Sequence, residues 1–308
     1  MLTTNPSFKR SRDRRSLRPK RIALLLLIGL AAPAWAAEPK ATQPRAKELR
    51  TITGLQTPES VLVLTDGRLL VSQIGEFGRD GDGTIAQVDK AGRVSVFASG
   101  LNDPKGLARE GDSIYVADRN RVWKIDLKGR TSVFVESTAF PAPPQFLNDL
   151  TTDPQGNLYV SDSGDQGGGI FKISREGQVS TVMTSRDDGR IKRPNGLLID
   201  RGSLLTVDFA SGELLRLGLN PPRIIKKIAE GFGGGDGLAI DQTGHIYVSD
   251  WKGGRVFRVD VTKTPAQVSA YPQTFQAAAD IALDASRKFI LVPDMKAGSL
   301  TWLPVASK

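Results

Sequence analysis

No cysteine occurs anywhere in the chain. That excludes disulfides, a thiol nucleophile and lipid attachment through an N-terminal cysteine, so the fold has to be held by its apolar core. Histidine is nearly absent too. The single residue, His245, rules out a Ser-His-Asp triad, a hydrolase built on paired histidines, and any histidine-rich zinc or quinone-cofactor site. Long apolar runs are also missing. The one candidate, Ile22 to Ala32, is too short to span a bilayer, and no membrane anchor is expected.

That short run has another use. Eight Lys and Arg residues precede it and Ala34-Trp-Ala36 follows it, the order of an export signal with a small-x-small cleavage site. The expected organisation is a signal over 1–36, a disordered Ala/Pro/Lys-rich leader over 37–46, and one β domain over 47–308. The product would be periplasmic or secreted. The signal holds eight positive charges and one negative, so the net +9 of the whole chain would fall to near +2 on cleavage. The basic pI therefore carries no nucleic-acid reading.

What is present is a repeat. Arg193-Pro-Asn-Gly-Leu-Leu-Ile-Asp200 runs into Ser203-Leu-Leu-Thr-Val-Asp208. The same pattern returns as Gly235-Asp-Gly-Leu-Ala-Ile-Asp241 with His245-Ile-Tyr-Val-Ser-Asp250, and earlier as Leu147-Asn-Asp-Leu-Thr-Thr-Asp153 with Asn157-Leu-Tyr-Val-Ser-Asp162. Six copies align with a spacing of 41 to 47 residues. Several short strands per unit at that period predict an all-β, six-bladed β-propeller. The sixth unit ends one strand short after Ser299-Leu-Thr-Trp-Leu-Pro304. Leu49 to Pro58 resembles the outer strand of the first unit, Val94 to Pro104. The N-terminal strand should therefore complete the last blade and close the ring, which leaves no open sheet joint. A monomer is expected.

First strands of propeller blades line the central channel. One residue per blade opens that strand at the channel mouth: Glu59, Lys105, Asn148, Asn195, Asp236 and Ala279. Two carboxylates and two carboxamides converging on one axis form an all-oxygen site suited to a hard cation, with water at the open positions. The loops Gly75 to Gly83, Gly164 to Gly169 and Trp251 to Gly254 should wall the entrance, with the Pro-rich run Phe140 to Pro144 beside it.

At these positions the sequence resembles the gluconolactonase, regucalcin and senescence-marker-protein family of six-bladed propellers. The resemblance rests on Pro194-Asn-Gly, Asp236-Gly-Leu, Asn148-Asp and the early Glu59, and it covers roughly Leu49 to Leu303. It implies that Glu59, Asn195 and Asp236 hold one divalent metal (Ca²⁺, Mg²⁺, Mn²⁺ or Zn²⁺, its identity open), and that Asn148 contacts substrate or metal-bound water. The implied reaction is metal-assisted opening of a lactone or related ester, with Asp236 as proton acceptor and Asn148 in an orienting role. The partner is then a small molecule. Two features depart from the pattern. Phe146 stands where sugar-lactone members tend to carry Arg, and Lys105 places an ammonium in the channel, either to grip a substrate carboxylate or to pair with Glu59.

Other readings stand beside this one. The repeat is also similar to NHL-type propellers, many of which are binding platforms without catalysis; such a protein would bind a ligand or another envelope protein. The recurring Asp118, Asp162, Asp208, Asp250 and Asp294 read as structural ties to loop N–H groups. Asp80-Gly-Asp-Gly83 reads as a hairpin loop, because the twelfth position of a calcium loop would be Ala91. His245 falls in a turn on the face opposite the channel mouth, where no chemical role is expected.

Overall fold

The computed structural model describes residues 49–306; the export signal and leader expected over 1–46 lie outside them. Strand formation is local in origin. Leu158-Tyr-Val-Ser-Asp162 and its counterparts concentrate β-branched and aromatic residues. The turn before that strand is closed by Asp153, whose Oδ1 accepts the N–H groups of Gln155 at 3.0 Å and Asn157 at 2.9 Å. Gly156, at φ 79°, takes the left-handed position that this turn requires.

These strands form six antiparallel sheets of four strands each. The inner strands of the first five blades are Pro58–Val63, Pro104–Glu110, Leu147–Thr152, Pro194–Asp200 and Gly235–Ile240. The sixth sheet joins Thr51–Thr53 from the N-terminal side to Ser299–Pro304, Phe289–Asp294 and Ala282–Leu283. Thr51 pairs with Thr301, Ile52 with Leu300 and Thr53 with Ser299. The N-terminal strand thus closes the ring. The only helical element among the described residues is one 3-10 turn, Ser137–Ala139.

The core is distributed between blades rather than gathered at a centre. Blades two and three share Tyr115, Val122, Leu150, Val160 and Phe171; blades four and five share Val207, Leu214, Phe232, Leu238 and Val248. Each of these side chains contributes about 1.5–3 kcal/mol when fully buried, which is how a domain without disulfides is stabilised.

The repeated Asp at the end of each second strand ties blade to loop. Asp118 accepts the N–H groups of Asn102 and Asp103, Asp162 those of Gln145 and Phe146, Asp208 those of Lys192 and Arg193, and Asp294 those of Gln276 and Ala277. Asp250 does the same for Gly234. In blade one the amide of Gln73 takes the place of the carboxylate, its Oε1 accepting the Gln56 N–H at 2.7 Å. Each tie fixes the loop that leads into an inner strand, so it positions the channel residues one step away.

Three expectations need correction. The inner strand of blade six does not begin at Ala279: only Ala282–Leu283 is strand, with an isolated bridge from Ala278 to Asp294. Pro293 is the cause. Its carbonyl accepts the Ala279 N–H at 3.0 Å, but proline has no N–H to return along the same edge. The run Phe140 to Pro144 does not border the entrance; Phe140 is buried against Phe171, ring centroids 5.4 Å apart. Of the three loops expected to wall the entrance, those carrying Phe77 and Trp251 do so, whereas residues 164–169 do not reach it.

Candidate active site

Five of the six inner strands begin with a bulge. In blade one Pro58 pairs with Gln73 and Val61 with Val71, which leaves one more residue on the inner strand than on its partner, and blades two to five repeat this. A bulge frees a residue from the ladder and redirects its side chain. The freed N–H groups are met by the serine of the recurring Val-Ser motif: Ser60 N–H donates to Ser72 Oγ, Asp149 N–H to Ser161 Oγ and Gly237 N–H to Ser249 Oγ, all at 2.8–2.9 Å.

The bulges bring Glu59, Lys105, Asn148, Asn195 and Asp236 to one cavity of about 190 Å³. All five are buried. The sixth position, Ala279, packs with Ile74 and Met295 and leaves that side apolar. Glu59 Oε2, Asn148 Oδ1 and Asp236 Oδ1 are each buried without a hydrogen-bond partner. An orphaned buried oxygen costs roughly 1–3 kcal/mol, and native folds leave few of them. Three around one cavity mark a place where an external group completes the bonding.

Asn148 is oriented by its neighbours. Its Nδ2 donates to Ser163 Oγ at 3.1 Å, and that hydroxyl donates to the Pro194 carbonyl at 2.6 Å. The carboxamide oxygen is thereby the atom left facing the cavity.

Buried carboxyls crowd this end of the channel. Burial pushes the Glu59 carboxyl well above its ordinary range, and Asp236 and Asp280 push it further; Asp236 is raised by burial and then by Asp280. Beneath them lie Asp149, raised by burial and by Asp280, and Asp280, pushed up to about 7 by burial although the Ser60 hydroxyl donates to it at 2.6 Å. Among the described residues no group of three or more His, Cys, Asp and Glu is arranged to hold a metal. The donor set at the mouth is two carboxylates with two carboxamides, oxygen throughout. The orphaned oxygens and the crowding of buried carboxyls both fit a hard divalent ion.

Residues 105–283 match the SMP-30/Gluconolactonase/LRE-like region. The chain belongs to the SMP-30/gluconolactonase/LRE-like family. It is 27% identical over 169 residues to the pentonolactonase XacC of Haloferax volcanii, an alignment covering 51% of this chain and 55% of that protein. The chain thus spans about half the length of the curated relative it matches. Similar solved structures include a gluconolactonase from Xanthomonas campestris (16% identity, TM-score 0.68, covering 85% of this chain and 91% of that one). A calcium-binding regucalcin from Agrobacterium tumefaciens is also similar (20% identity, TM-score 0.66, covering 82% and 90%). At these identities the two structures speak to the fold alone.

Within the family region fall Lys105, Asn148, Asn195 and Asp236; Glu59 lies ahead of it. Lys105 makes no ion pair with Glu59. Its Nζ donates to the Asp103 carbonyl at 3.0 Å and sits 4.1 Å from the centre of the Phe146 ring, a cation–π arrangement. Burial lowers its pKa, opposed by Glu59. Phe146 is thus the partner of the channel lysine. A cation in its place would face the ammonium directly.

The cavity wall was not anticipated beyond Phe146 and the two loops. Most of it comes from one register, the residue immediately after each ladder position. Ile74, Ser163, Phe209, Trp251 and Met295 occupy it and line the cavity. In blade two Arg119 occupies it and turns away to Asp103 and Asp80. Arg193, two residues before Asn195, lines the cavity from the register that Phe146 holds in blade three. Once the ladder is aligned, the wall can be read one position downstream. His245, in contrast, lies away from this cavity, held by Asp241 and Arg258 in its turn.

Proposed function

We propose that this chain is an exported, metal-dependent hydrolase that opens a lactone or a related ester, acting as a monomer in the periplasm or outside the cell. The observation that carries the reading is the convergence of Glu59 Oε2, Asn148 Oδ1 and Asp236 Oδ1, buried and unpartnered, on one channel mouth. Membership of a family that includes gluconolactonases, and the likeness to a pentonolactonase, support the choice of lactones.

Glu59, Asn195 and Asp236 would hold the divalent ion, Ca²⁺, Mg²⁺, Mn²⁺ or Zn²⁺. When bound, such an ion supplies polarisation of the lactone carbonyl and lowers the pKa of water. Asp236 takes the proton of the attacking water as the general base. Asn148 accepts a hydrogen bond from that water through Oδ1, fixed in place by Ser163. The apolar wall limits competing solvent around the ring.

The test is hydrolysis after metal removal. The chain is stripped with chelator and assayed on aliphatic and sugar lactones with each metal restored. Activity should disappear on stripping, return with one or more metals, and fall in Glu59→Gln by more than the 10–100-fold that outer-shell changes around metals typically cost. No metal binding by calorimetry together with no turnover would overturn the reading and leave a binding propeller.

A further inference from the structure

The polar floor of the cavity is overlaid by a wall of a different character. Ile74, Phe77, Phe146, Phe209, Trp251 and Met295 form it, and Phe77 is 53% exposed at the mouth. The polar atoms at this level are committed to the protein. Trp251 Nε1 donates to Met295 Sδ at 3.3 Å. Arg193 gives Nε to the Ser163 carbonyl at 3.0 Å and Nη1 to Asp165 at 2.9 Å, with its guanidinium 5.3 Å from the centre of the Phe209 ring. Lys105 is spent on Asp103 and Phe146, and Ser163 on Pro194.

The two largest wall residues are also held in place. Phe209 and Trp251 lie 6.3 Å apart, with the Lys252 ammonium 4.5 Å from the first ring and the Lys296 ammonium 4.4 Å from the second. Neither lysine lines the cavity. The rings therefore stand between the cavity and a cationic exterior, and offer the interior a fixed aromatic surface.

Such a wall cannot replace the water that a polyhydroxylated ring would surrender. A hydroxyl set against Ile, Phe, Trp or Met loses its hydrogen bonds, whereas an apolar substituent in the same place gains from leaving water. An apolar cavity of about 150 Å³ accommodates a benzene ring, so the space of about 190 Å³ here suits one small ring with a compact substituent.

We propose, resting on the lactone-opening reading, that the substrate class is a lactone bearing a compact branched-alkyl substituent rather than a sugar lactone. Phe209 and Trp251 determine that specificity. The floor residues engage the ester; the wall engages the substituent.

The test uses non-hydrolysable lactams as probes of the metal-loaded full chain, read by calorimetry. An isopropyl-substituted lactam and a polyhydroxylated sugar lactam of equal ring size are compared. The apolar lactam should bind about 100-fold tighter, the discrimination typical of one misplaced hydroxyl in an apolar pocket. Trp251→Ala and Phe209→Ala should each weaken it by about tenfold or more without changing metal affinity, and Trp251→Phe should retain most of the binding. Equal or tighter binding of the sugar lactam, binding of neither lactam, or indifference to Trp251→Ala would each overturn the proposal. Turnover of the matching lactones separates the two readings. Apolar-lactam binding with no lactone opened sinks the hydrolase and keeps the ligand class; rapid opening of sugar lactones keeps the hydrolase and sinks the ligand class.

Discussion

Asn148 shows how much of the site depends on the residue that orients a functional side chain. The amide is useful only if its oxygen faces the cavity, and Ser163 settles that by accepting from Nδ2 while donating to the Pro194 carbonyl. Ser163→Ala removes both bonds. The amide is then free to rotate, and the Pro194 carbonyl is left buried without that donor. Steady-state kinetics should show kcat/KM lower by on the order of tenfold, the value of one hydrogen bond, with the loss in kcat. Metal affinity by calorimetry should be unchanged, because Ser163 is bonded to none of the proposed ligands. A drop in metal affinity equal to the drop in rate would mean that Ser163 supports the fold of the mouth and not the orientation of Asn148. Asn148 itself was legible in the sequence from its place at the start of an inner strand. Ser163 was not, because the position after the last residue of each second strand holds Ile, Arg, Ser, Phe, Trp and Met in turn, so aligning the ladder marks a wall position without saying that its serine would orient Asn148.

The inner strand is the element that joins fold to chemistry, and its glycines are part of the reason. A Cβ on Gly196 would lie 2.3 Å from the Asp236 carbonyl oxygen, and one on Gly237 would lie 2.4 Å from the Ile281 nitrogen. Both obstacles are backbone, and neither can swing aside. Adjacent inner strands approach this closely only because the position after the channel residue is Gly in blades two, four and five. Where it is Asp or Ser the side chain bridges strands instead, as Asp149 does to the Leu197 N–H at 2.6 Å and Ser60 to Asp280. Gly196→Ala should therefore destabilise the domain by about 1–3 kcal/mol, the usual cost of overpacking, and weaken metal binding by displacing Asp236; chemical denaturation and calorimetry read the two effects. A stable variant with full metal affinity would show that the strands have slack. The Asn-Gly and Asp-Gly pairs were visible as a motif, but their meaning as a strand-to-strand contact needed the ring. The same holds for Asp149 and Asp280, which read as ordinary strand residues until the axis places them under the site. The outer strands Ile225–Glu230 and Gln267–Ala270 were harder still to read, since a blade's outermost strand is largely solvated and gives little hydrophobic alternation.

At the scale of the whole molecule, the ring is one closed circuit whose joint is made by a short N-terminal segment, Arg50 to Thr53. Six units of similar sequence made the propeller readable, because each unit repeats its turn, its ladder Asp and its inner-strand opening. The closure was readable because one unit lacked a strand and the chain carried a spare at its other end. The joint is small: Thr51, Ile52 and Thr53 pair with Thr301, Leu300 and Ser299, the Trp302 N–H donates to the Arg50 carbonyl at 2.9 Å, and the Arg50 guanidinium covers the Trp302 ring at 4.1 Å. Ile52 adds apolar contact with the cluster of Leu300 and Leu291. These contributions amount to about 3 kcal/mol. A chain beginning at Gly54 should thus melt roughly 6–12 °C lower. It should also expose the edge of Ser299–Pro304, a row of unpaired N–H and C=O groups that invites pairing with a second copy. Scanning calorimetry and size-exclusion chromatography test both parts, with the destabilised chain expected to run as dimer or larger species. A truncated chain that stays monomeric and melts with the intact one would show that the core between blades closes the ring without its joint.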